Sequence, residues 1–197
     1  MPTNGSQRWL FLRSFLAHPR RVGAVLPTSR RAVGDMLDMA PLDRARLVVE
    51  LGAGTGSHTR DILARLGRDG ELVAFEIDPE LAEAVRRRLP DPRLLVVTDS
   101  AERLGDHLGG RRPEVIVSAL PFTSLPAGTG EVILGRAAEV LAPQGSLLVL
   151  QYSPLIAGHL ARLFGSVRRR ICLVNVPPAF LYACQLPVAV AERGIPR

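Results

Sequence analysis

Short apolar runs alternate with amphipathic stretches along most of the chain. The runs are bounded by Gly, Pro, Asp or Ser and contain many β-branched residues, which is typical of buried strands. The predicted strands begin at Val48 and then cover residues 71–77, 93–97, 114–118 and 146–151. The predicted helices between them cover residues 57–66, 78–89, 100–108 and 129–141. Regular alternation of strand and helix predicts a parallel sheet with helices on both faces.

The end of the chain follows a different pattern. Residues 171–174 and 180–185 are two extended runs, and only the segment Asn-Val-Pro-Pro-Ala separates their cores. Strands joined by so short a connection must be antiparallel. The chain is therefore predicted to form an α/β domain whose mostly parallel sheet ends in an antiparallel C-terminal pair.

About forty-five residues precede the first strand and are predicted to form N-terminal helices. One helix is expected from residue 30 to residue 39, with Thr28 or Ser29 as its N-cap. Another is expected over residues 7–18, where Trp9, Phe15 and neighbouring apolar residues share a face and Arg residues flank them. This amphipathic segment suits a lipid interface, and packing over the domain is the alternative. We therefore predict a helical membrane-contact or lid segment over residues 1–45 and the main domain over residues 46–197.

The stretch after the first strand is rich in glycine. Gly52, Gly54 and Gly56 alternate directly after Glu50-Leu51, and Glu76 follows at the end of the next strand. Glycines at a strand-to-helix turn let the backbone approach a ligand closely, and an acid on the second strand can accept hydrogen bonds from ribose hydroxyls. A dinucleotide dehydrogenase would have its third glycine at position 57, where this chain has Ser57.

These residues resemble motif I and the second-strand acid of class I S-adenosylmethionine (SAM) methyltransferases. The resemblance implies a single Rossmann-like domain with a seven-stranded sheet, SAM as the cofactor and S-adenosylhomocysteine as its product. It also implies the residues that bind the cofactor. These are Glu50, Gly52, Gly54, Thr55, Gly56, Glu76, Ile77, Asp99, Ser100 and Ser118. Asp99 would accept a hydrogen bond from the adenine amine, and capping the following helix is its alternative role.

Three further segments narrow the resemblance. Residues 23–29, 118–126 and 175–180 are similar to motifs of the bacterial phospholipid N-methyltransferases that associate with membranes. This resemblance implies successive methylation of phosphatidylethanolamine toward phosphatidylcholine, and related members methylate ornithine lipids. Residues 118–122 are also similar to the Asn-Leu-Pro-Tyr element of rRNA adenine dimethyltransferases. The amide-bearing residue of that element is absent here, and its aromatic position is Phe122.

The candidate catalytic residues follow from this reading. Backbone carbonyls around Ser118 and Leu120 would orient the acceptor amine, and the rings of Phe122, Tyr152 and Tyr182 would hold a methylammonium by cation–π contact. For the two tyrosines, core packing is the alternative. Asn175 would hydrogen-bond the head group, with a turn residue as its alternative role. A role for His58 as a base is a weaker candidate.

Composition adds limits on location and partners. The 197 residues carry a net charge of +6, and every fixed positive charge is an Arg. Such a balance favours anionic partners. We expect a cytoplasmic protein, peripheral on the inner face of the cell membrane, that contacts an anionic lipid surface and an amino-phospholipid. No stable nucleic acid partner, obligate protein partner or metal is expected, and Cys172 and Cys184 are expected to be buried apolar side chains.

Overall fold

A seven-stranded sheet lies at the centre of residues 28–187, the part of the chain that the computed structural model describes. In chain order the strands are β1 Leu47–Leu51, β2 Glu71–Phe75, β3 Leu94–Val97, β4 Val115–Ser118, β5 Ser146–Gln151, β6 Ser166–Cys172 and β7 Ala179–Gln185. Their spatial order is β3-β2-β1-β4-β5-β7-β6. Strand β7 runs antiparallel to β5 and β6, and the other paired strands run parallel. The predicted α/β class, the seven strands and the antiparallel C-terminal strand are confirmed.

Helices cover both faces of the sheet. They are α1 Arg30–Leu37, α2 Ser57–Leu63, α3 Pro79–Arg88, α4 Thr129–Val140 and α5 Ala157–Leu163, and 3₁₀ turns occur at Leu42–Arg44, Ala101–His107, Phe122–Ser124 and Pro154–Ile156. Adjacent residues of a strand face opposite sides, so Val48 packs with α1 and α2 while Val49 packs with α4 and α5. Helix α3 packs through Ala82 and Val85 on the face of α1 and α2.

The predicted elements near the C-terminal half need correction at three places. The predicted helix 100–108 consists of 3₁₀ turns over Ala101–His107. The predicted strand 171–174 ends at Cys172 and begins as early as Ser166, because exposed arginines on this edge strand hide the apolar alternation. Helix α5 was not predicted; it is only 7 residues long, and Leu160 is its one buried side chain.

Local sequence signals fix several helix starts. The hydroxyl of Ser29 accepts a hydrogen bond from the amide of Ala32 at 3.2 Å, so Ser29 caps α1 as one of the two predicted candidates. Asp78 caps α3 in the same way, with Pro79 in the first turn. These caps satisfy amides that lack partners within the helix and fix where each helix leaves the sheet.

Cys172 and Cys184 are free and buried, as the sequence predicts. Burial raises the pKa of the Cys184 thiol to about 12. None of the helices within residues 28–187 combines the length and the apolar character that a membrane span requires. The amphipathic segment 7–18 and most of the motif 23–29 lie outside the described residues, so both remain predictions.

Candidate functional site

The carboxyl ends of the parallel strands are aligned. Leu51 at the end of β1 pairs with Phe75 of β2 on one side and with Ser118 of β4 on the other. Phe75 in turn pairs with Val97 at the end of β3. The residues that follow these strands therefore lie along one edge of the sheet, which we call the carboxyl edge. Open α/β sheets bind their ligands at this edge.

The glycine loop turns over this edge with positive φ angles at all three glycines. Gly52 has φ +81° and Gly56 has φ +82°, and Gly54 has φ +55°. A Cβ atom on Gly52 would lie 2.5 Å from Cδ2 of Leu120, so the loop and the Leu120 turn pack too closely for a side chain. A Cβ atom on Gly54 would meet nothing within 4 Å. Gly54 thus presents open space where a ligand can approach the backbone.

Glu76 lies directly behind Gly54. One oxygen of its carboxylate accepts a hydrogen bond from the Gly54 amide at 2.7 Å, and the other accepts one from the Asp78 amide at 2.9 Å. The residue is only 1% exposed, and burial raises the pKa of the carboxyl above its ordinary value. The predicted second-strand acid therefore lies directly beside the loop, where the backbone amides of Gly54, Ile77 and Asp78 fix it and its carboxylate keeps the capacity to accept a further hydrogen bond.

Glu50 is a second buried carboxyl beside the loop. Its Oε2 accepts a hydrogen bond from the Thr59 hydroxyl at 2.6 Å, and its Oε1 has no hydrogen-bond partner within residues 28–187. Burial, only partly offset by the Thr59 bond, raises its pKa from 4.5 to about 8. A buried acceptor without a partner is rare in proteins, so this atom points to a missing donor.

The other predicted cofactor residues line the same edge but have local partners. The Asp99 carboxylate accepts from the Ser100 amide at 2.7 Å and contacts Nε2 of His107 at 2.8 Å. Its pKa is held below the ordinary value, mainly by the bond to His107. Ser100, not Asp99, caps the following 3₁₀ turns. Ile77 follows Glu76 and is partly buried, and the Thr55 hydroxyl is 3.1 Å from the Ser57 hydroxyl.

This arrangement fits SAM. Open backbone at Gly54, an acid with free lone pairs at Glu76 and an unpaired acceptor at Glu50 suit a ligand that carries ribose hydroxyls and a cationic amine. Asp99 follows β3, the edge strand of the sheet, and so lies at one end of the carboxyl edge. Within the described residues, no cluster of three or more His, Cys, Asp or Glu side chains could hold a metal ion.

Comparison with known proteins agrees with this geometry. Residues 48–145, from the second residue of β1 to the residue before β5, match the family described as a methyltransferase domain. The chain therefore contains a methyltransferase domain with the fold of the SAM-dependent methyltransferases. The structure of the N-methyltransferase NodS from Bradyrhizobium japonicum, in complex with S-adenosyl-L-homocysteine, superposes with a TM-score of 0.73 at 15% identity, covering 91% of this chain and 98% of that one.

Two relatives bear on the acceptor. An ornithine lipid N-methyltransferase from Singulisphaera acidiphila is 29% identical over 182 residues, covering 90% of this chain and 95% of that protein. A ribosomal RNA small subunit methyltransferase H from Aromatoleum aromaticum is 46% identical over 65 residues, which are 29% of this chain and 20% of that protein. The first match runs along almost the whole methyltransferase, and the second is confined to a short segment.

The Leu120 turn corrects one prediction about the acceptor side. Ser118 ends β4 with its side chain fully buried, and its hydroxyl accepts from the Leu120 amide at 3.3 Å. The Leu120 carbonyl, predicted to orient the acceptor amine, already accepts from Nε2 of Gln151 at 2.7 Å and from the Phe122 amide at 2.8 Å. Both lone pairs are therefore used, and Leu120 acts through its side chain, which packs against Gly52.

Gln151 is a positioning residue that the sequence reading missed. Its amide is 4% exposed and donates to the carbonyls of Leu120 and Leu150 at 2.7 and 2.6 Å. This ties the end of β5 to the turn after β4, so the two strands present their ends as one unit. A polar residue at the end of the apolar run 146–151 is the signal that could have indicated it.

Tyr152 and Asn175 both contact residues at the start of α1. The Tyr152 hydroxyl lies 2.6 Å from the Thr28 hydroxyl. The Asn175 side chain is 2% exposed; it accepts from the Ser29 amide and donates to the Pro177 carbonyl, both at 2.8 Å. The predicted bond from Asn175 to a head group is therefore replaced by a structural role. The bond to Ser29 connects the turn that contains Asn175 to the start of α1, although the two segments are far apart in the sequence.

Tyr182 requires a similar correction. The residue pairs with Val149 in the middle of β5 and is 1% exposed within the core beneath α4 and α5. A ring enclosed by core side chains has no open face for a cation, so core packing is its role. His58 is also not poised as a base, because burial lowers the pKa of its imidazole and disfavours protonation.

Phe122 lines a cleft of about 200 Å³ at the carboxyl edge. The cleft lies between the loop after β4 and the turn after β5, and its walls combine apolar side chains with one contact between polar side chains. Its lining residues include Phe122, Leu125, Pro126, Leu134, Leu155 and Ile156. In the polar contact, Nδ1 of His159 lies 3.3 Å from a carboxylate oxygen of Glu131. An apolar cleft with an acid at its wall suits an amphiphilic cation.

Proposed function

We propose that this methyltransferase transfers methyl groups to the amine of a membrane-lipid head group. The observation that carries the proposal is the match to an ornithine lipid N-methyltransferase along 90% of the chain, on a fold that brings the predicted SAM residues Gly54, Glu50 and Glu76 together. Phosphatidylethanolamine, methylated in successive steps toward phosphatidylcholine, is the acceptor that the sequence motifs favour. Ornithine lipid is the acceptor that the relative favours, and both present a primary amine next to apolar chains.

The cleft beside Phe122 supplies the acceptor side of this proposal. Bound SAM supplies an electrophilic methyl group on a sulfonium. The chain must bring a neutral amine into line with it, although a primary amine with a pKa of about 10 is protonated at pH 7. The Glu131 carboxylate attracts the ammonium to the cleft, and the apolar walls lower the amine's pKa by desolvation, so that its proton passes to water before the neutral amine meets the methyl group. The ring of Phe122 then holds the product methylammonium by cation–π contact.

An enzyme of this kind works where its substrate resides. We place it as a peripheral protein on the cytoplasmic face of the membrane, held there by an anionic lipid surface. The net charge of +6 supports attraction to such a surface. A stable complex with nucleic acid or with another protein is not part of the proposal.

Mass spectrometry of reaction products tests the acceptor. The full chain is incubated with labelled SAM and detergent micelles that contain phosphatidylethanolamine, ornithine lipid or neither, with ribosomal RNA in a separate reaction. We expect successive mass increments of one methyl group on an amine-bearing lipid. Methylated RNA without methylated lipid would favour an rRNA adenine N6-methyltransferase, and binding of SAM without transfer to any acceptor would overturn both.

A matched pair of acids tests the cleft. Glu131 and Glu139 both lie on α4 and are 65% and 62% exposed. Glu131→Gln should raise KM for the lipid by about tenfold, since a charge-assisted contact contributes about 1.5 kcal/mol, and should leave the Kd for SAM unchanged. Glu139→Gln is the control, because it removes one negative charge from the same helix at a position that does not line the cleft. Equal effects of the two substitutions on KM would exclude a role for Glu131 in binding the amine.

A further inference from the structure

The connection between β6 and β7 exposes three aliphatic side chains in four consecutive residues. We call residues 173–176 the hairpin tip. Leu173 is 74% exposed, Val174 is 77% exposed and Val176 is 66% exposed. Scattered exposed aliphatics are normal on a protein surface, but a continuous group at the end of a projecting hairpin marks an interaction site.

The hairpin tip lies on the same side of the molecule as the cofactor residues. Strand β6 pairs with β7 and β7 with β5, both antiparallel, so β6 runs in the same direction as β5. Its end at Cys172 therefore reaches the carboxyl edge, where the glycine loop and the cleft also lie. Leu155, in the turn after β5 and 74% exposed, adds another apolar side chain to this edge.

The hairpin tip is held outward by its own anchor. Asn175 points inward between the exposed residues, with its side chain bonded to the Ser29 amide and the Pro177 carbonyl. The neighbouring Leu173, Val174 and Val176 cannot turn inward without breaking these bonds. An apolar group that is fixed in solvent-facing positions is prepared for a partner, because no ordering cost remains to be met on binding.

Charge identifies the partner. Strand β6 carries Arg169 and Arg170 on the exposed edge of the sheet, followed by Ile171 at 47% exposure. Aliphatic residues at a tip with cations a few residues behind it match an anionic bilayer, where apolar chains lie deeper than the charged head groups.

We propose that the hairpin tip inserts into an anionic lipid surface and presents the carboxyl edge to the membrane. Leu173, Val174 and Val176 enter the interface, and Arg169 and Arg170 contact lipid phosphates. The proposal rests on the lipid-methylating function, because it explains how a head-group amine reaches the cleft without leaving the bilayer.

A fluorescent label at the hairpin tip tests the insertion directly. Cys172 and Cys184 are 5% and 0% exposed, so a cysteine introduced by Leu173→Cys can be labelled selectively with an environment-sensitive dye. Leu95→Cys is the matched control, because Leu95 is 47% exposed on the opposite edge strand β3. Addition of vesicles of phosphatidylglycerol and phosphatidylcholine should shift the emission to the blue at position 173 and leave position 95 unchanged.

Several outcomes would overturn the insertion. The proposal fails if the full chain sediments with these vesicles and the label at 173 does not shift, since contact is then made elsewhere, or if the chain does not bind them at all. A shift without vesicles that grows with protein concentration would assign the hairpin tip to a second copy of the chain. Methylation in detergent micelles is measured separately, so failure of the lipid-methylating function is distinguishable from failure of membrane binding.

Substitutions at the hairpin tip and on β6 measure how much these residues contribute to vesicle binding. Replacing Leu173, Val174 and Val176 by Ser should weaken vesicle binding by more than about tenfold, because each buried aliphatic group contributes to insertion. Arg170→Gln should weaken it by about fivefold at low salt. Leu95→Ser is the control, and an unchanged thermal unfolding midpoint shows that the variants fold. Equal binding by the triple variant and the control would contradict the proposal.

Discussion

Glu50 and Glu76 are two buried carboxyl groups next to the same glycine loop, and burial raises the pKa of both. Each is held by neutral donors rather than by a cation: Thr59 for Glu50, and backbone amides for Glu76. Ionisation of such groups is costly in the protein without its ligand, because a buried carboxylate loses its hydration. A cationic ligand would recover part of this cost, which is the physical reason for placing acids in a SAM site.

The raised pKa of Glu50 predicts how stability depends on pH. The folded protein keeps Glu50 protonated up to about pH 8, while the unfolded chain releases that proton near its ordinary pKa of 4.5. The folded state therefore binds more protons between these values, and stability falls as pH rises through this window by at most about 1.4 kcal/mol per pH unit. Urea unfolding at a series of pH values measures this slope.

Glu50→Gln is the matched variant for that measurement. The amide is neutral at every pH, so the variant should lose most of the decline above about pH 5, with Glu76 contributing a remainder of the same sign. A slope that is the same in both proteins would show that Glu50 ionises normally when folded.

Gly54 and Gly109 form a natural comparison for the cofactor loop. Gly54 has φ +55° and Gly109 has φ +58°, and an added Cβ meets nothing within 4 Å at either site. Replacing either by Ala should cost about 1–2 kcal/mol of stability, because the left-handed conformation is unfavourable for Ala. Gly54→Ala should also raise the Kd for SAM on the order of tenfold or more, since the new methyl occupies the ligand's approach.

Isothermal titration calorimetry with SAM separates the two variants of this pair. Gly109 lies before β4, away from the glycine loop, so Gly109→Ala should bind SAM like the parent protein. A similar loss of affinity in both variants would mean that strain, and not the space in front of Gly54, controls binding.

At the scale of elements, one side chain joins the C-terminal hairpin to the first described helix. Asn175 belongs to the turn between β6 and β7, and its acceptor partner is the amide of Ser29, the residue that caps α1. The hydroxyl pair of Thr28 and Tyr152 makes a second connection to β5. Hairpin and helix start are therefore expected to respond together when either is perturbed.

Asn175→Ala tests this connection. The variant leaves the Ser29 amide and the Pro177 carbonyl without their side-chain partner, so we expect a loss of about 1–3 kcal/mol in the free energy of unfolding. Val174→Ala, at a neighbouring position that is 77% exposed, should change stability by less than about 0.5 kcal/mol. Urea unfolding measures both, and equal stabilities would show that the Asn175 bonds contribute nothing net.

At the scale of the whole molecule, charge and topology act together. The chain carries a net charge of +6, its fixed cations are all Arg, and the carboxyl edge holds the predicted SAM residues, the cleft and the hairpin tip. If this edge faces an anionic bilayer, then long-range attraction must contribute to the working concentration of enzyme at its substrate.

Added salt should therefore change turnover differently in a vesicle assay and in a micelle assay. Turnover of a lipid substrate in anionic vesicles should fall several-fold when the ionic strength rises from low values to well above physiological, because the Debye length falls below about 8 Å. Turnover in micelles of a neutral detergent should change little. Equal salt dependence in the two assays would locate the effect in the active site and not in membrane attraction.

The sequence alone determined the alternation of strands and helices from β1 to β5, the mixed direction of the sheet and the SAM cofactor, but it missed α5 and the 3₁₀ character of Ala101–His107. These depend on local signals: short apolar runs, glycines at one turn, caps such as Ser29 and the acid that ends β2. Such signals need only residues close in the chain, since strand burial and turn geometry are set over a few positions. The acids Glu50 and Glu76 followed from the same local pattern.

Only the tertiary structure decided which polar groups were still free to bind a ligand. The Leu120 carbonyl already accepts a hydrogen bond from Gln151, and the side-chain oxygen of Asn175 already accepts one from Ser29. Tyr182 is enclosed between the sheet and two helices. The partners of the first two contacts are 31 and 146 positions apart in the sequence, so no local sequence pattern predicts these contacts. Hydrogen-bonding capacity is used up by neighbours in space, so it can be counted only once the chain is folded.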